Sequence, residues 1–420
     1  MLRRRTFLGG AAATTAMAYL PKAGRASAND RVRVAIIGVR GRGFELLQTF
    51  RSDPTAEVVA ICDVDSGVLG RRLKAAGVGP NSRLRGESDF RRLLDDQSID
   101  AVVVATPDHW HAMATILACQ AGKDVYVEKP VSHNVVEGRR MVEAARKYGR
   151  VVQSGMQRRS APWAAEVIRQ VKSGLIGKVG MVRTWTNKVR PNIGHTTPSA
   201  VPPTVDYAMW QGPAPDRPFH ANRFHYNWHW FWNWGTGELG NNGIHAIDLA
   251  LWGLGIDSPS AVVSSGGTYV LTDDRETPDT QITTWEFPGV CLTWEHRMWT
   301  DHPVEGSYFG LAFYGEKGTL LINEKGWRLE DQGDLQSHPG ENPQALHVRN
   351  FLDCVKSRSK PNADIEIGLA STRLCHLGNI AHRVGRRLTW DAARETFHDP
   401  AARSLLSREY SDRFPLPLQV

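Results

Sequence analysis

An apolar strand that empties into a glycine-rich turn, VRVAIIGVRGRGF at 32–44, constrains this chain more than any other segment. Such a strand has no face that it can turn to water, so other layers must cover both its sides. The pattern then repeats. EVVAICD, DAVVVAT and DVYVEKP are further apolar strands, separated by helical stretches such as FELLQTFRS and HAMATILACQAG, the latter ending at Gly122. Near-continuous apolar strands alternating with helices predict a parallel α/β sheet over residues 31–150. After VEGRRMVEAARKYG comes a short strand, RVVQSGMQ, at which a second domain is expected to begin.

Residues 151–395 have a different texture. Aromatic, Pro-rich and Gly-rich segments between 155 and 250 read as long loops over a pocket. Alternating strands follow in AVVSSGGTYVL, TQITTWEF, VCLTWEHRMW, YFGLAFYG and GTLLIN. Period-two alternation without intervening helices predicts a large, mainly antiparallel open sheet. One face is covered by helices, with ALHVRNFLDCVKSR and EIGLASTRLCHLGNIAHRVGR completing the domain. The class is therefore α/β with a C-terminal α+β domain, closed by a tail at 396–420. The open sheet face predicts a homo-oligomer, a dimer or tetramer.

The basic balance of the chain is local. Lys and Arg number 51 against 44 Asp and Glu, but Arg3, Arg4, Arg5, Lys22 and Arg25 fall within residues 1–28, which hold no acid. The remainder carries 46 cations against 44 anions, which gives no reason to expect nucleic acid or an anionic membrane as partner. The opening itself, Arg3-Arg4-Arg5-Thr6-Phe7-Leu8 followed by GGAAATTAMAYL and Ala26-Ser27-Ala28, has the form of a twin-arginine signal peptide with a small-residue cleavage site. Its soft stretch is too short, and too rich in Gly, Ala and Thr, to span a bilayer. Export by the twin-arginine machinery, cleavage after Ala28 and a periplasmic or otherwise exported protein are expected, an uncleaved amphipathic anchor being the alternative. That route moves folded proteins, and outside the cytosol any exchangeable cofactor must be held tightly and recycled in place. The five cysteines, scattered and free of CxxC spacing, predict no disulfide framework, and no metal is expected.

Gly38, Gly41 and Gly43 permit a tight turn in which backbone N–H groups and the next helix N-terminus approach a pyrophosphate. They are spaced G-x-x-G-x-G, with Arg40 at the third position of the usual G-x-G-x-x-G. Asp63, 25 positions after Gly38, stands where a carboxylate accepts hydrogen bonds from the adenosine ribose and repels a 2′-phosphate, which favours NAD. Arg40 and Arg42 keep NADP open, since a guanidinium pairs with such a phosphate. Ala105-Thr106-Pro107-Asp108-His109-Trp110-His111 leaves a strand at the same sheet edge, so these side chains, Thr106 and Pro107 among them, should face the nicotinamide half of the cofactor. His111 either joins them or caps the following helix. Glu128 and Lys129 end the next strand beside the same dinucleotide.

With VVQSGMQRR, GNNGIHAID, GEKGTLLIN and NFLDCVKSRSKP in order behind them, these motifs make the chain resemble the glucose-fructose oxidoreductase / inositol dehydrogenase / MocA family of NAD(P)-dependent oxidoreductases, over nearly all of its length after the signal. The resemblance implies an N-terminal Rossmann domain. It also implies hydride transfer between tightly bound NAD, or NADP, and a hydroxyl or carbonyl carbon of a sugar, glycoside or polyol. Lys129 would stabilise the developing alkoxide, and His245 would be the general acid/base. The family segment commonly reads Asp-x-x-x-His, whereas Asn241 holds the aspartate position here, and an amide hydrogen-bonds a hydroxyl without relaying a proton. Asp248, one turn past His245, can substitute electrostatically, bind substrate or make an ion pair. Trp228, Trp230, Trp232 and Trp234 would share one face of a strand or extended loop, either as a pyranose platform or as core packing. Trp232 and Gln157 are thus placed toward the substrate with Asn241, His245 and Asp248.

Other readings stand beside this one. A lyase or hydrolase of the same family, oxidising a sugar transiently, eliminating a group and reducing again, accounts for export, retained cofactor and Asn241 together. A metal hydrolase or isomerase would use His225, His229, Glu238 and His245, although His225 and His229 lie in an aromatic, Gly-bounded run rather than on a helix. A sugar-binding protein whose catalysis has lapsed would keep the pocket without turnover.

Overall fold

Six strands form the first sheet of the computed structural model, which describes residues 31–78, 82–330, 332–337, 342–417 and 420. The expected signal at 1–28 lies outside them. The strands are β1 (Val32–Ile37), β2 (Ala56–Cys62), β3 (Arg85–Glu87), β4 (Ala101–Val104), β5 (Asp124–Val127) and β6 (Val152–Ser154). They run parallel in the order β3-β2-β1-β4-β5-β6. Every residue of β4 and β5 is buried, as a sheet covered on both faces requires. The covering helices include α1 (Arg42–Ser52), α2 (Ser66–Ala75), α3 (Arg91–Asp95), α4 (Asp108–Gln120) and α5 (Val135–Lys147). Each Val, Ile or Leu side chain so removed from water contributes roughly 1.5–3 kcal/mol. Because β6 pairs with β5, with Val152 opposite Val125, the first domain runs through Ser154 instead of ending at 150.

The second sheet has ten strands in the order β14-β13-β12-β11-β7-β10-β9-β8-β15-β16. In chain order they are β7 (Val179–Thr186), β8 (Ala261–Gly267), β9 (Thr280–Phe287), β10 (Val290–Arg297), β11 (Phe309–Gly315), β12 (Gly318–Asn323), β13 (Gly326–Leu329), β14 (Gln332–Ser337), β15 (Leu388–Asp391) and β16 (Thr396–Phe397). The expected antiparallel character holds except at one pair, β7 with β10. β7 itself lies in the stretch read from the sequence as loops, because Arg183 interrupts the apolar alternation of VGMVRTWT.

The remaining helices used below are α6 (Pro162–Lys172), α7 (Tyr207–Gln211), α8 (Ile244–Leu254), α9 (Pro343–Ser357) and α10 (Ile365–Val384). α6, α8 and α10 pack under the second sheet around Trp285, Trp294 and Phe313. α9 departs from expectation. Its Val348, Phe351 and Leu352 join the core of the first domain, where Phe351 meets Phe50 and Tyr126 edge-on. α10 serves both domains: Ile365 and Leu369 enter the first core, and Leu374, Leu377 and Ile380 the second. The tail also returns to the first domain, with Phe414 edge-on to Trp110 at 5.0 Å. No helix among the described residues is long and apolar enough to cross a membrane.

Candidate active site

The carboxyl edge of the first sheet opens into a cleft of about 600 Å³. Its floor is the turn after β1. Gly38 has φ +82°, and a Cβ there would lie 2.8 Å from the Ala105 carbonyl oxygen, while a methyl on Gly43 would run into the Gly38 carbonyl. A Cβ on Gly41, by contrast, would meet nothing within 4 Å, so the turn is packed from behind and open in front. Asp63 ends β2 at the rim, where its carboxylate accepts from Val39 N at 2.9 Å and Asp65 N at 3.0 Å. Burial pushes its pKa up against those two donors. A cradle that only glycine fits at positions 38 and 43, with a fixed carboxylate at its edge and room for a dinucleotide, suits NAD. Arg40 is exposed on the same rim, whereas Arg42 is committed elsewhere, its Nε donating to Glu128 Oε1 at 2.8 Å.

Strands β4 and β5 bring Thr106, Pro107, Glu128 and Lys129 to the other end of the cleft. Lys129 precedes a cis peptide to Pro130, and its Nζ donates to Asn241 O at 2.7 Å and Asn241 Oδ1 at 3.3 Å. Burial lowers the lysine pKa, with Glu128 and Asp108 pulling the other way. Burial opposes ionisation of Glu128 too, but Arg42 and Lys129 outweigh it and its pKa falls. His111 lines the cleft, yet both ring nitrogens lie against backbone carbonyls, Nδ1 2.6 Å from Pro130 O and Nε2 2.8 Å from Thr106 O. It ties β5 to the head of α4 and offers the cofactor only its ring edge.

Asp108, which the sequence placed at the cofactor edge without a role of its own, is a further functional candidate. It is the first residue of α4, lines the cleft and is 2 % exposed. Its Oδ2 accepts from Thr236 Oγ1 of the second domain at 2.8 Å. Burial raises its pKa to about 7, although Thr236 and the Lys129 charge oppose the rise. The available signal was a lone carboxylate heading an otherwise apolar helix, DHWHAMATILACQ.

Across the cleft, Asn241 sits in a wide π-type turn, Leu239–Gly243, that runs into α8 and carries His245 one turn on. His245 is half-buried and makes no side-chain hydrogen bond among the described residues. Burial, reinforced by the charges of Lys129, Arg158 and Arg42, holds its pKa well below the ordinary value, so its imidazole is neutral. Behind it, Glu238 is buried and paired with Arg190 at 3.0 Å, and Arg190 donates to Tyr226 Oη at 3.0 Å. His229 stacks on Trp228 at 3.6 Å, and His225 Nε2 lies 2.9 Å from Asp65 Oδ2, joining the aromatic loop to the first domain.

Several expectations need correction. The tryptophan run is no extended platform: Asn227–Trp230 is a short 3-10 turn, Trp230 and Trp234 are core residues, and Trp228 alone of the four lines the cleft. Trp232 borders a separate small cavity with Arg383, whose guanidinium carbon is 5.4 Å from its ring centroid, and so lies outside the lining of the cleft. Asp248 is buried in an ion pair with Arg159 at 2.9 Å and accepts from Ser371 at 2.7 Å, which leaves it nothing for substrate. Gln157 Oε1 is buried without a protein partner, but outside the lining of the cleft. Of the histidines read for a metal, His225 lies against Asp65 and His229 against Tyr226 O, Glu238 is held by Arg190, and no group of three His, Cys, Asp or Glu among the described residues could hold a metal ion.

Two domains meeting across a dinucleotide-sized cleft place the molecule in the class of two-domain oxidoreductases. The family comparisons make that specific. Residues 32–156 match "Oxidoreductase family, NAD-binding Rossmann fold" and residues 163–415 match "Oxidoreductase family, C-terminal alpha/beta domain". The chain belongs to the glucose-fructose oxidoreductase / inositol dehydrogenase / MocA family. Among curated relatives, a glycosyl hydrolase family 109 protein of Saccharopolyspora erythraea is 33% identical over 36% of this chain and 34% of its own length. Inositol 2-dehydrogenase 2 of the same organism is 32% identical over 43% of this chain and 53% of its own length. The chain thus spans about a third to a half of these relatives. Among solved structures, the WlbA dehydrogenase of Bordetella pertussis in complex with NADH and UDP-GlcNAcA is alike in fold, with a TM-score of 0.66 and 23% identity over 86% of this chain and 99% of that one.

Proposed function

We propose that this protein is an NAD-dependent oxidoreductase acting on a hydroxyl or carbonyl carbon of a sugar, glycoside or polyol. The observation that carries the reading is Lys129 Nζ bonded to Asn241, where the cofactor domain meets the helix bearing His245. Gly38, Gly41, Gly43 and Asp63 would hold the cofactor, which supplies hydride transfer when bound. Lys129 would hold the substrate oxygen and offset its developing charge, exchanging its bond to Asn241 for one to substrate. The neutral, unpartnered His245 would take the hydroxyl proton in oxidation and return it in reduction. Asp63 favours NAD over NADP by repelling a 2′-phosphate.

A second reading, a hydrolase or lyase that oxidises and re-reduces within one cycle, is favoured by Asn241, which cannot relay a proton, and by the name of the family 109 relative. The twin-arginine opening supports an exported protein with captive cofactor, and exposed Val263 and Ile282 on neighbouring strands support a homo-oligomer formed through the second sheet. Mass spectrometry of undialysed protein should find a retained nicotinamide nucleotide. Absorbance of that nucleotide should change on adding one sugar and recover on adding a second, oxidised one. Protein that neither retains nor binds a pyridine nucleotide would refute the proposal, whereas glycoside cleavage with no net absorbance change would select the closed cycle.

A further inference from the structure

Arg158 has no ion-pair partner among the described residues, and its neighbour Arg159 is bonded to Asp248 of α8, three residues past His245. Arg158 follows Gln157 in a short 3-10 turn, Gln157–Ser160, at the entry to the second domain. Its guanidinium carbon lies 4.0 Å from the centroid of Phe309 on β11, a stacked contact that fixes the orientation of a planar cation. Neighbouring Arg159 is fully used by Asp248, but Arg158 makes no ion pair and no side-chain hydrogen bond among the described residues. The two carboxylates whose charge reaches it are Glu324 and Asp248. Both are engaged elsewhere, Asp248 with Arg159 and Ser371, and Glu324 with the Ser307 hydroxyl.

A half-buried guanidinium without a counter-ion is unfavourable, and burial accordingly lowers its pKa to about 10. Its charge also bears on His245, together with Lys129. Lys129 is spoken for by Asn241 and, on the reading above, by the oxygen that reacts. Arg158 is left with a rigid fork of N–H donors whose geometry matches a carboxylate. A neutral hydroxyl would satisfy one donor and leave the charge unanswered.

We propose that the substrate is a sugar acid, and that Arg158 binds its carboxylate beside His245. The assignment of that acid as a substrate rests on the oxidoreductase reading; the carboxylate site itself does not. The test uses full-length protein with its cofactor and sugar pairs that differ at one carbon, glucose with glucuronate and galactose with galacturonate. Calorimetric titration into the NADH-loaded protein reads binding, and nicotinamide absorbance of the NAD-loaded protein reads turnover. Each uronate should bind about 10- to 100-fold more tightly than its neutral partner, the range expected for one charge-assisted contact. Arg158→Gln should bring the acid-to-neutral ratio close to one, and Arg158→Lys should keep part of it. The ratio is taken within one preparation, so a variant that folds poorly still reports it.

Neutral sugars bound as tightly as the uronates, or a ratio unmoved by Arg158→Gln, would overturn the proposal. Neutral sugars oxidised without any preference for acids would leave the dehydrogenase reading standing alone. Uronates bound through Arg158 with no change in nicotinamide absorbance would support the carboxylate site and bring down the dehydrogenase reading.

Discussion

Replacing Asp108 by Asn should make the protein more stable, and increasingly so as the pH rises from 4 to 7. The carboxyl is 2 % exposed and its pKa is raised to about 7, burial being the main cause. The N-terminus of α4 favours an anion at this position by roughly 0.3–1 kcal/mol, too little to offset the loss of solvent. In the unfolded chain the same group titrates near 3.9, so between the two values the folded protein binds more protons and stability falls as pH rises. The stabilising share of Asp108 is complete below about pH 4 and lost above about pH 7, a span of about three units or roughly 4 kcal/mol at most. Asn keeps the oxygen that accepts from Thr236 and has no proton to lose. Urea unfolding of both proteins at half-unit steps of pH should give curves that diverge through this window and run parallel above it. Curves parallel throughout would mean that Asp108 is ionised in the fold, and the assignment of its neutral form to burial would be refuted.

Lys129→Met should reduce kcat about 10²–10⁴-fold while leaving nucleotide retention intact, as judged by turnover beside cofactor fluorescence. Gly43→Ala should abolish nucleotide binding in protein that still folds its second domain, since the new methyl meets the Gly38 carbonyl; calorimetry with NADH checks this. Asp248→Ala should destabilise the protein by about 3–5 kcal/mol, because it leaves buried Arg159 unpaired, yet should leave the sugar KM of the folded fraction unchanged.

What the sequence disclosed depended on how local the controlling physics is. The parallel sheet was legible because β1, β4 and β5 form near-continuous apolar runs, and the cofactor turn because three glycines follow β1, two of them, Gly38 and Gly43, where side chains would collide. Lys129 and His245 were singled out through motifs, and Lys129 Nζ bonds Asn241, one turn before His245. The errors arose where a long-range partner decides a residue's fate. For Asp248 a substrate role and an ion pair stood side by side until Arg159, 89 positions away, decided for the ion pair. The tryptophan run was read with period two, but a turn at Asn227–Trp230 broke that period and sent Trp230 and Trp234 into the core. α9 has the amphipathic pattern of any covering helix, and nothing local says which sheet it covers. Asp108 and Arg158 acquire their character from burial and from what fails to surround them, and neither property is written in the adjacent residues.

The amide at position 241 has a physical reason in this site. Its Oδ1 lies 3.3 Å from Lys129 Nζ, and its Nδ2 lies 3.5 Å from Glu238 Oε2. Only a side chain that accepts on one side and donates on the other can bridge an ammonium and a carboxylate, and Asn does so where Asp cannot. Glu238 is fully buried and already bound to Arg190, so a second carboxylate beside it would meet like charge at hydrogen-bond distance. Asn241→Asp therefore restores the common family residue into a setting that resists it. The new carboxylate would pair with Lys129 and raise the lysine pKa by about 1–3 units, the usual effect of an opposite charge at this range. The limb of the kcat/KM profile that reports Lys129 should move to higher pH by that amount, and Glu238→Gln combined with Asn241→Asp should recover the stability lost in the single variant. A profile that stays in place would show that Lys129 and position 241 are uncoupled in solution, and the bridge drawn between them would be wrong.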